Sequence, residues 1–168
     1  YGGGVDDASA RAPLVIEHNG NRLGLLAANQ HGPVVAWATK DRPGSARFDL
    51  ATMQAAIQSL KPQVDLVFAE VQHLETNYQG DYTTLPNSRQ ELDFEGLADA
   101  GADVVTGVMA HAPQALELRK GALILYGLGN LYFDQIWSWP TRTGLVARHT
   151  IYNGRLLRVM HEVASDAR

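Results

Sequence analysis

The sequence predicts an α/β protein: an α+β mixed sheet with β-hairpins at both ends of the chain and helices covering a face of the sheet. Two observations carry this prediction. Short apolar runs typical of buried strands alternate with amphipathic helical segments in the middle of the chain, and hairpin patterns lie near both ends. No linker or internal repeat divides the 168 residues, so we expect a single domain over residues 1–168.

Each hairpin is predicted by an Asn-Gly pair between two apolar segments. Asn19-Gly20 separates residues 13–18 from residues 22–28, and Asn153-Gly154 separates residues 144–152 from residues 155–163. Both residues of such a pair tolerate the positive φ angles of a tight turn.

Two helices are predicted between the hairpins. Asp49 is a plausible N-cap for a helix over residues 50–60, and Asn87 or Ser88 can cap a second helix that runs to about Ala100. Between the helices, residues 64–71 are almost continuously apolar, as a buried strand of a helix-covered sheet tends to be.

The second helix is expected to face the core through Leu92 and Leu97. Its acidic residues Asp93, Glu95 and Asp99 are expected on a solvated polar face.

Composition excludes several functions. Lys and Arg total 14 against 18 Asp and Glu, and the basic residues are scattered, so a nucleic-acid partner is disfavoured. The chain has no cysteine, which excludes disulfides, Cys-ligated zinc and thiol catalysis. No apolar run is long enough to span a membrane, and the first residues lack the pattern of a signal peptide.

The candidate site lies where two later strands end. Residues 103–111 and 122–134 are apolar runs that end in glycine-containing turns, which present His111 and Asn130. His111 is a candidate ligand or general base, and the alternative is a turn residue before Pro113. Asn130 is a candidate substrate contact, and the alternative is a structural cap that binds nearby backbone groups.

Two further residues follow the strand predicted over 64–71. His73 is a candidate metal ligand or general base, and the alternative is a solvated loop histidine. Glu75 follows as a possible partner of the imidazole. Aromatic residues later in the chain could line a groove for a carbohydrate-like or peptide-like ligand or could pack in the core: Tyr126, Tyr132, Phe133, Trp137 and Trp139.

Taken together, these motifs resemble the CapA family, which is associated with poly-γ-glutamate capsule synthesis. The resemblance is carried by residues 64–75 with His73, by residues 97–107 followed by His111, and above all by Gly127-Leu-Gly-Asn-Leu-Tyr-Phe-Asp134. The resemblance implies the second half of a calcineurin-like metallophosphatase sandwich. It also implies catalytic and metal-binding roles for His73 and His111, substrate-binding roles for Asn130 and Glu75, and Mn, Fe or Zn as the metal.

This sequence departs from the family pattern at the metal motif. The family reads Gly-His-His-Pro-His where this chain has Gly107-Val108-Met109-Ala110-His111. Valine has no lone pair, and a thioether prefers soft ions, so we expect metal affinity to be reduced or lost. The motifs of the family's first half are not found in this chain, so half a ligand set would remain.

Three hypotheses follow for function. The first is a capsule module that binds or helps export an anionic polymer and has an eroded metal site. The alternative is a metal-dependent phosphoesterase or amide hydrolase whose other ligands lie in a missing first half. The third is a folded fragment with no activity. These hypotheses lead to three expectations. The ligand is an anionic polymer or a small molecule. The partner is a missing half of the protein or a second copy of the chain, and the location is the bacterial cell envelope.

Overall fold

The computed structural model describes residues 2–74, 84–135 and 137–165, with side chains described as far as residue 157. Strands and helices alternate through this part of the chain. In chain order they are β1 (Gly3–Gly4), α1 (Asp7–Arg11), β2 (Leu14–His18), β3 (Asn21–Asn29), β4 (Gly44–Ser45), α2 (Leu50–Leu60), β5 (Leu66–Gln72), α3 (Ser88–Asp99), β6 (Val104–Val108), β7 (Leu116–Arg119), β8 (Ala122–Leu125), β9 (Thr143–Tyr152) and β10 (Arg155–Ser165).

A six-stranded mixed sheet is the centre of the fold. Its strand order is β2-β3-β5-β6-β8-β7. Strands β3, β5, β6 and β8 are parallel, whereas β2 and β7 pair antiparallel at the two edges. The predicted mixed α/β fold class is therefore confirmed.

The parallel strands place the loops of interest at one edge of the sheet. Because β3, β5, β6 and β8 run in the same direction, the segments that follow them leave from the same edge. Three of those segments carry His73, His111 and Asn130. The topology thus explains why polar residues from distant parts of the sequence lie at one end of the sheet.

Local sequence signals predicted several turns and caps correctly. Asn19 and Gly20 have φ angles of 48° and 75°, as a tight hairpin turn requires. The side chain of Asp49 accepts a hydrogen bond from the Thr52 backbone N–H at the start of α2. Asn87 caps α3 in the same way.

Helices α2 and α3 cover one face of the sheet. Met53, Ile57 and Leu60 of α2 pack in one cluster with Phe94 and Leu97 of α3. Alternate residues of the central strands complete that cluster: Val67, Ala69, Val71, Val105 and Ile124. Burial of each large side chain contributes roughly 1.5–3 kcal/mol relative to leaving it exposed, so this face supplies much of the stability.

The inward face of α3 differs from the prediction. Its buried residues are Gln90, Asp93, Phe94 and Leu97, which lie at the helical spacing of one face. Leu97 is buried as expected, but Leu92 is 64% exposed and Asp93 is 1% exposed. The expectation of a solvated Asp93 was therefore wrong, because this carboxylate pairs with the buried side chain of His73.

Strand β7 was not predicted from the sequence. Its residues Leu116–Arg119 pair with Ala122–Leu125 through a turn at Lys120 and Gly121, whose φ angles are 50° and 92°. Leu116 and Leu118 remain 52% and 77% exposed. The sheet therefore ends in an edge strand with two uncovered leucines.

The second hairpin, β9 with β10, forms a separate two-stranded sheet. His149 of β9 contacts the ring of Phe68, with 5.6 Å between the ring centroids. Phe68 alternates along β5 with residues of the helix-side cluster, so this hairpin lies on the opposite face of the sheet. Among the described residues, no helix is both long enough and apolar enough to cross a membrane.

Candidate functional site

His73 is buried at the end of β5 and is only 2% exposed. Its Nε2 lies 3.0 Å from Oδ2 of Asp93, and its Nδ1 lies 3.2 Å from the carbonyl oxygen of Leu74. The same Asp93 oxygen accepts a hydrogen bond from Nε of Arg89 at 2.9 Å. The Asp93 carboxylate also raises the pKa of Arg89, because it accepts this hydrogen bond. His73 is thus joined to a buried carboxylate that an exposed arginine also binds.

These contacts decide what His73 can do in this conformation. Both ring nitrogens face oxygen atoms of the protein, so a metal could bind Nε2 only if the ring moved away from Asp93. The roles predicted for His73 in catalysis and metal binding stay predictions. In the structure, His73 and Asp93 form a buried hydrogen-bonded pair that connects the end of β5 to α3.

A second buried polar group adjoins this network. Nε2 of Gln90 donates to the carbonyl oxygen of Tyr126 at 2.7 Å and to Oε1 of Gln114 at 3.3 Å. Oε1 of Gln90 and Oδ1 of Asp93 have no hydrogen-bond partner among the described residues. Sequence reasoning missed this cluster, although the spacing of positions 90, 93, 94 and 97 is the signal that could have found it.

His111 and Asn130 meet at the same edge of the sheet. Nδ1 of His111 lies 2.9 Å from Oδ1 of Asn130. Nδ2 of Asn130 donates to the carbonyl oxygen of Thr141 at 2.9 Å and to Oε1 of Gln135 at 3.1 Å. The structure therefore brings together these two predicted site residues, which are nineteen positions apart.

The orientation of Asn130 determines the tautomer of His111. Because Nδ2 of Asn130 donates twice, its Oδ1 is the acceptor, and Nδ1 of His111 must be the donor. Nε2 of a neutral His111 then carries the lone pair. A carbonyl oxygen on one imidazole nitrogen is the usual arrangement by which proteins orient a ligand-binding histidine. Asn130 thus orients the imidazole of His111. The predicted contact of Asn130 with substrate stays a prediction.

The segment between β6 and His111 has unusual backbone and side-chain features. Val108 is 43% exposed, and Met109 has a φ angle of 121°, which side chains of L residues rarely adopt. Gly107 was predicted to belong to a turn after the strand, but it lies within β6. A Cβ there would overlap the carbonyl oxygen of Tyr126 and come 2.9 Å from Cε2 of Phe94. The absence of a side chain at Gly107 therefore allows Tyr126 and Phe94 to pack closely against β6.

The described side chains at this edge do not by themselves fit a metal ion. His73 is engaged on both ring nitrogens, Val108 offers no donor atom, and Met109 offers only a thioether. Among residues 2–74, 84–135 and 137–157, no group of three or more His, Asp or Glu side chains could hold one. Glu75, predicted to bind substrate, lies outside the described residues.

The fold and the strand-end residues define a class of protein. A solved structure of a Staphylococcus aureus protein assigned as a 5′-nucleotidase has the same fold, with a TM-score of 0.56 at 11% sequence identity. The similarity covers 98% of this chain and 31% of that one. The chain has a calcineurin-like metallophosphatase fold, as the sequence predicted.

Sequence comparison narrows this class to one family. Residues 1–135 match the family of bacterial capsule synthesis proteins, PGA_cap, and the chain belongs to it. The capsule biosynthesis protein CapA of Bacillus anthracis is 33% identical over 140 residues, which cover 81% of this chain and 33% of that protein. The PGA biosynthesis protein CapA of Bacillus subtilis is 33% identical over 117 residues, which cover 70% of this chain and 30% of that protein. The predicted CapA resemblance is confirmed, and the chain spans about a third of the length of these relatives.

Proposed function

We propose that this chain takes part in the synthesis or export of an anionic capsular polymer of the poly-γ-glutamate type. The observation that carries the proposal is the family match over residues 1–135, together with relatives named for capsule and PGA biosynthesis. We further propose that the chain acts in the bacterial cell envelope, where a capsule is built.

Within that process we propose a binding role for this chain and an eroded metal site. Support comes from Val108 and Met109, which stand where the family pattern has histidines, and from His73, which is held by Asp93 and Leu74. The His111–Asn130 pair is the part of the motif that keeps an oriented imidazole. We propose that this pair contacts the polymer.

We also propose a polypeptide partner for the uncovered edge of the sheet. Leu116 and Leu118 of β7 are exposed and adjacent on one face of an edge strand. An apolar edge of this kind favours pairing with another chain or with a further segment of the same protein.

Polymer binding and metal content test the proposal together. We expect poly-γ-glutamate to bind the protein in a sedimentation or light-scattering assay, and we expect His111→Ala to weaken that binding. His18→Ala is the matched control, because His18 is an exposed histidine at the end of β2, next to the hairpin turn. Elemental analysis after incubation with Mn, Fe and Zn should find no stoichiometric metal.

The opposite results would favour the hydrolase hypothesis. The proposal of an eroded metal site would be overturned by stoichiometric metal binding together with metal-dependent cleavage of a phosphoester or of the polymer. Equal polymer binding by the original protein and by His111→Ala would remove His111 from the contact surface.

A further inference from the structure

A cleft of about 280 Å³ opens on the sheet near the ends of β3, β5 and β6. Its walls include Ala27 and Asn29 of β3, Glu70 and Gln72 of β5, and Val108 of β6. Neither His73 nor His111 lines it. The cleft lies beside the two histidine networks and shares Val108 with the segment that precedes His111.

Among the residues that the structure describes, Glu70 is the only charged one that lines this cleft. In the sheet it lies between Ala27 of β3 and Thr106 of β6, and it is exposed. Among the described residues its carboxylate has no hydrogen-bond or ion-pair partner. A lone carboxylate between neutral strand neighbours attracts a cation and disfavours an anion.

Gln72 adds a directed acceptor two residues further along β5. Its Nε2 lies 3.8 Å from the sulfur of Met109, a contact that leaves Oε1 without a partner among the described residues. Because residues two apart in a strand point to the same face, Oε1 of Gln72 and the carboxylate of Glu70 belong to one side of the sheet. Met109 itself is held at a φ of 121°, and backbone strain of this kind concentrates at binding and catalytic sites.

Apolar groups complete the cleft. Ala27 belongs to the same face as Glu70, because the two residues are register partners in neighbouring parallel strands. Val108, 43% exposed, stands opposite Gln72 in the pairing of β5 with β6. The cleft therefore combines a single negative charge and an amide acceptor with aliphatic contact surface. Ligand sites are commonly lined in this way, by apolar groups with a few placed polar ones.

We propose that this cleft binds the ammonium group of a small alkylamine or of an amine-terminated chain. Glu70 pairs with the ammonium group, Oε1 of Gln72 accepts one of its hydrogen bonds, and Val108 and Ala27 contact the methylene groups. The volume of about 280 Å³ is just below the range of about 300–1,000 Å³ typical of ligand sites, which suits a short aliphatic cation. This proposal does not depend on the proposed role in capsule synthesis.

Amide NMR of the isotope-labelled protein tests the proposal with three short probes of matched shape: n-butylammonium, n-butanol and butyrate. We expect saturable shifts of the Ala27, Gln72 and Val108 amide signals with n-butylammonium and much weaker shifts with the other two. Glu70→Gln should weaken the binding of n-butylammonium about tenfold, since a charge-assisted hydrogen bond is lost. The variant should remain folded, because Glu70 is exposed and has no described partner.

Glu91→Gln is the matched control, since Glu91 is an exposed glutamate of α3, on the helix-covered side of the sheet. It should bind n-butylammonium as the original protein does. Three results would overturn the proposal: no saturable shifts with n-butylammonium, equal binding of n-butanol or butyrate, or unchanged binding by Glu70→Gln. Stoichiometric Mn²⁺ binding at these residues that excludes n-butylammonium is a fourth such result and would assign the cleft to a metal.

Discussion

The imidazole of His73 and the carboxylate of Asp93 form a buried pair that connects the end of β5 to α3. The two atoms that join them, Nε2 and Oδ2, are 3.0 Å apart, and each side chain is 2% exposed. Arg89 binds the same carboxylate from a largely exposed position. The histidine that the family resemblance predicted as a metal ligand is therefore held, in this structure, by an acid from a helix.

Removing the acid of this pair should destabilise the protein strongly. We expect Asp93→Ala to lower the free energy of unfolding by about 1–3 kcal/mol, because Nε2 of His73 would remain buried without its hydrogen-bond partner. Urea unfolding followed by circular dichroism measures the loss. Glu91→Ala, an exposed change on the same helix, should cost no more than about 0.5 kcal/mol. Equal unfolding midpoints for the two variants would contradict the structural role of the pair.

A methyl group at Gly107 should be poorly tolerated. Its Cβ would overlap the backbone carbonyl oxygen of Tyr126, which also accepts the hydrogen bond from Gln90. We expect Gly107→Ala to destabilise the protein by about 1–3 kcal/mol or more, since backbone has to shift. Gly24→Ala is the comparison, because its Cβ would meet the flexible end of Leu60 at 2.6 Å. In thermal unfolding, the midpoint temperature of Gly107→Ala should be well below that of Gly24→Ala. The reverse order would contradict the close packing of Gly107 against Tyr126.

Acid should weaken the contact between α3 and β7. Hydrogen bonds from Arg119 and Lys120 lower the pKa of Asp99 from 3.8 to about 2. Because this pKa is depressed in the folded protein, the stabilisation is complete above pH 3.8 and is lost as the pH falls towards about 2. Asp99→Asn should flatten this part of the stability profile, whereas Asp41→Asn, at an exposed turn, should leave it unchanged. Urea midpoints measured across this pH range provide the test.

The pairing of His111 with Asn130 should appear as an energetic coupling. A double-mutant cycle with His111→Ala and Asn130→Ala should give a coupling of about 0.5–3 kcal/mol, the range found for residues in contact. His18→Ala combined with Asn130→Ala is the control cycle, because His18 lies at the distant β2 hairpin turn, and it should be additive. Unfolding free energies measure both cycles. Additive effects of His111→Ala and Asn130→Ala would show that the hydrogen bond contributes little in solution.

The exposed edge of β7 should govern association. We expect the protein to self-associate with increasing concentration, and we expect Leu116→Lys with Leu118→Lys to abolish this behaviour, because charges on an edge strand oppose pairing. Sedimentation velocity measures the oligomeric state. Leu157→Lys, at an exposed leucine of β10, is the control and should behave as the original protein does. A protein that stays monomeric at high concentration would contradict self-association through this edge.

Features set by neighbouring residues could be predicted from the sequence. The Asn19-Gly20 turn, the Asp49 cap and the Asn87 cap depend on side chains and φ preferences within a few positions, and each was predicted correctly. Gly101, with a φ of 113°, follows α3 as expected of a helix terminator.

Features that depend on distant partners could not be predicted in this way. Asp93 is buried because His73 lies twenty positions away in the sequence and supplies its partner, so composition and spacing alone favoured a solvated acid. Strand β7 has only four residues and exists because β8 pairs with it. The candidate site was also predictable only in part. The motif indicated both His111 and Asn130, but it could not show that the asparagine fixes the tautomer of the histidine.

The hydrogen bond between the turn of the second hairpin and the first hairpin has a consequence for the order of folding. The backbone N–H of Gly154 donates to Oδ1 of Asn21 at 2.8 Å, across 133 positions of sequence. Asn21 leaves the ribosome 133 residues before Gly154, so the two groups cannot meet until the segment between them has been made. Closing so long a loop is slow, so β9 and β10 should dock late. Until then, Phe68 lacks its ring contact with His149, so one face of the nascent sheet is completed last.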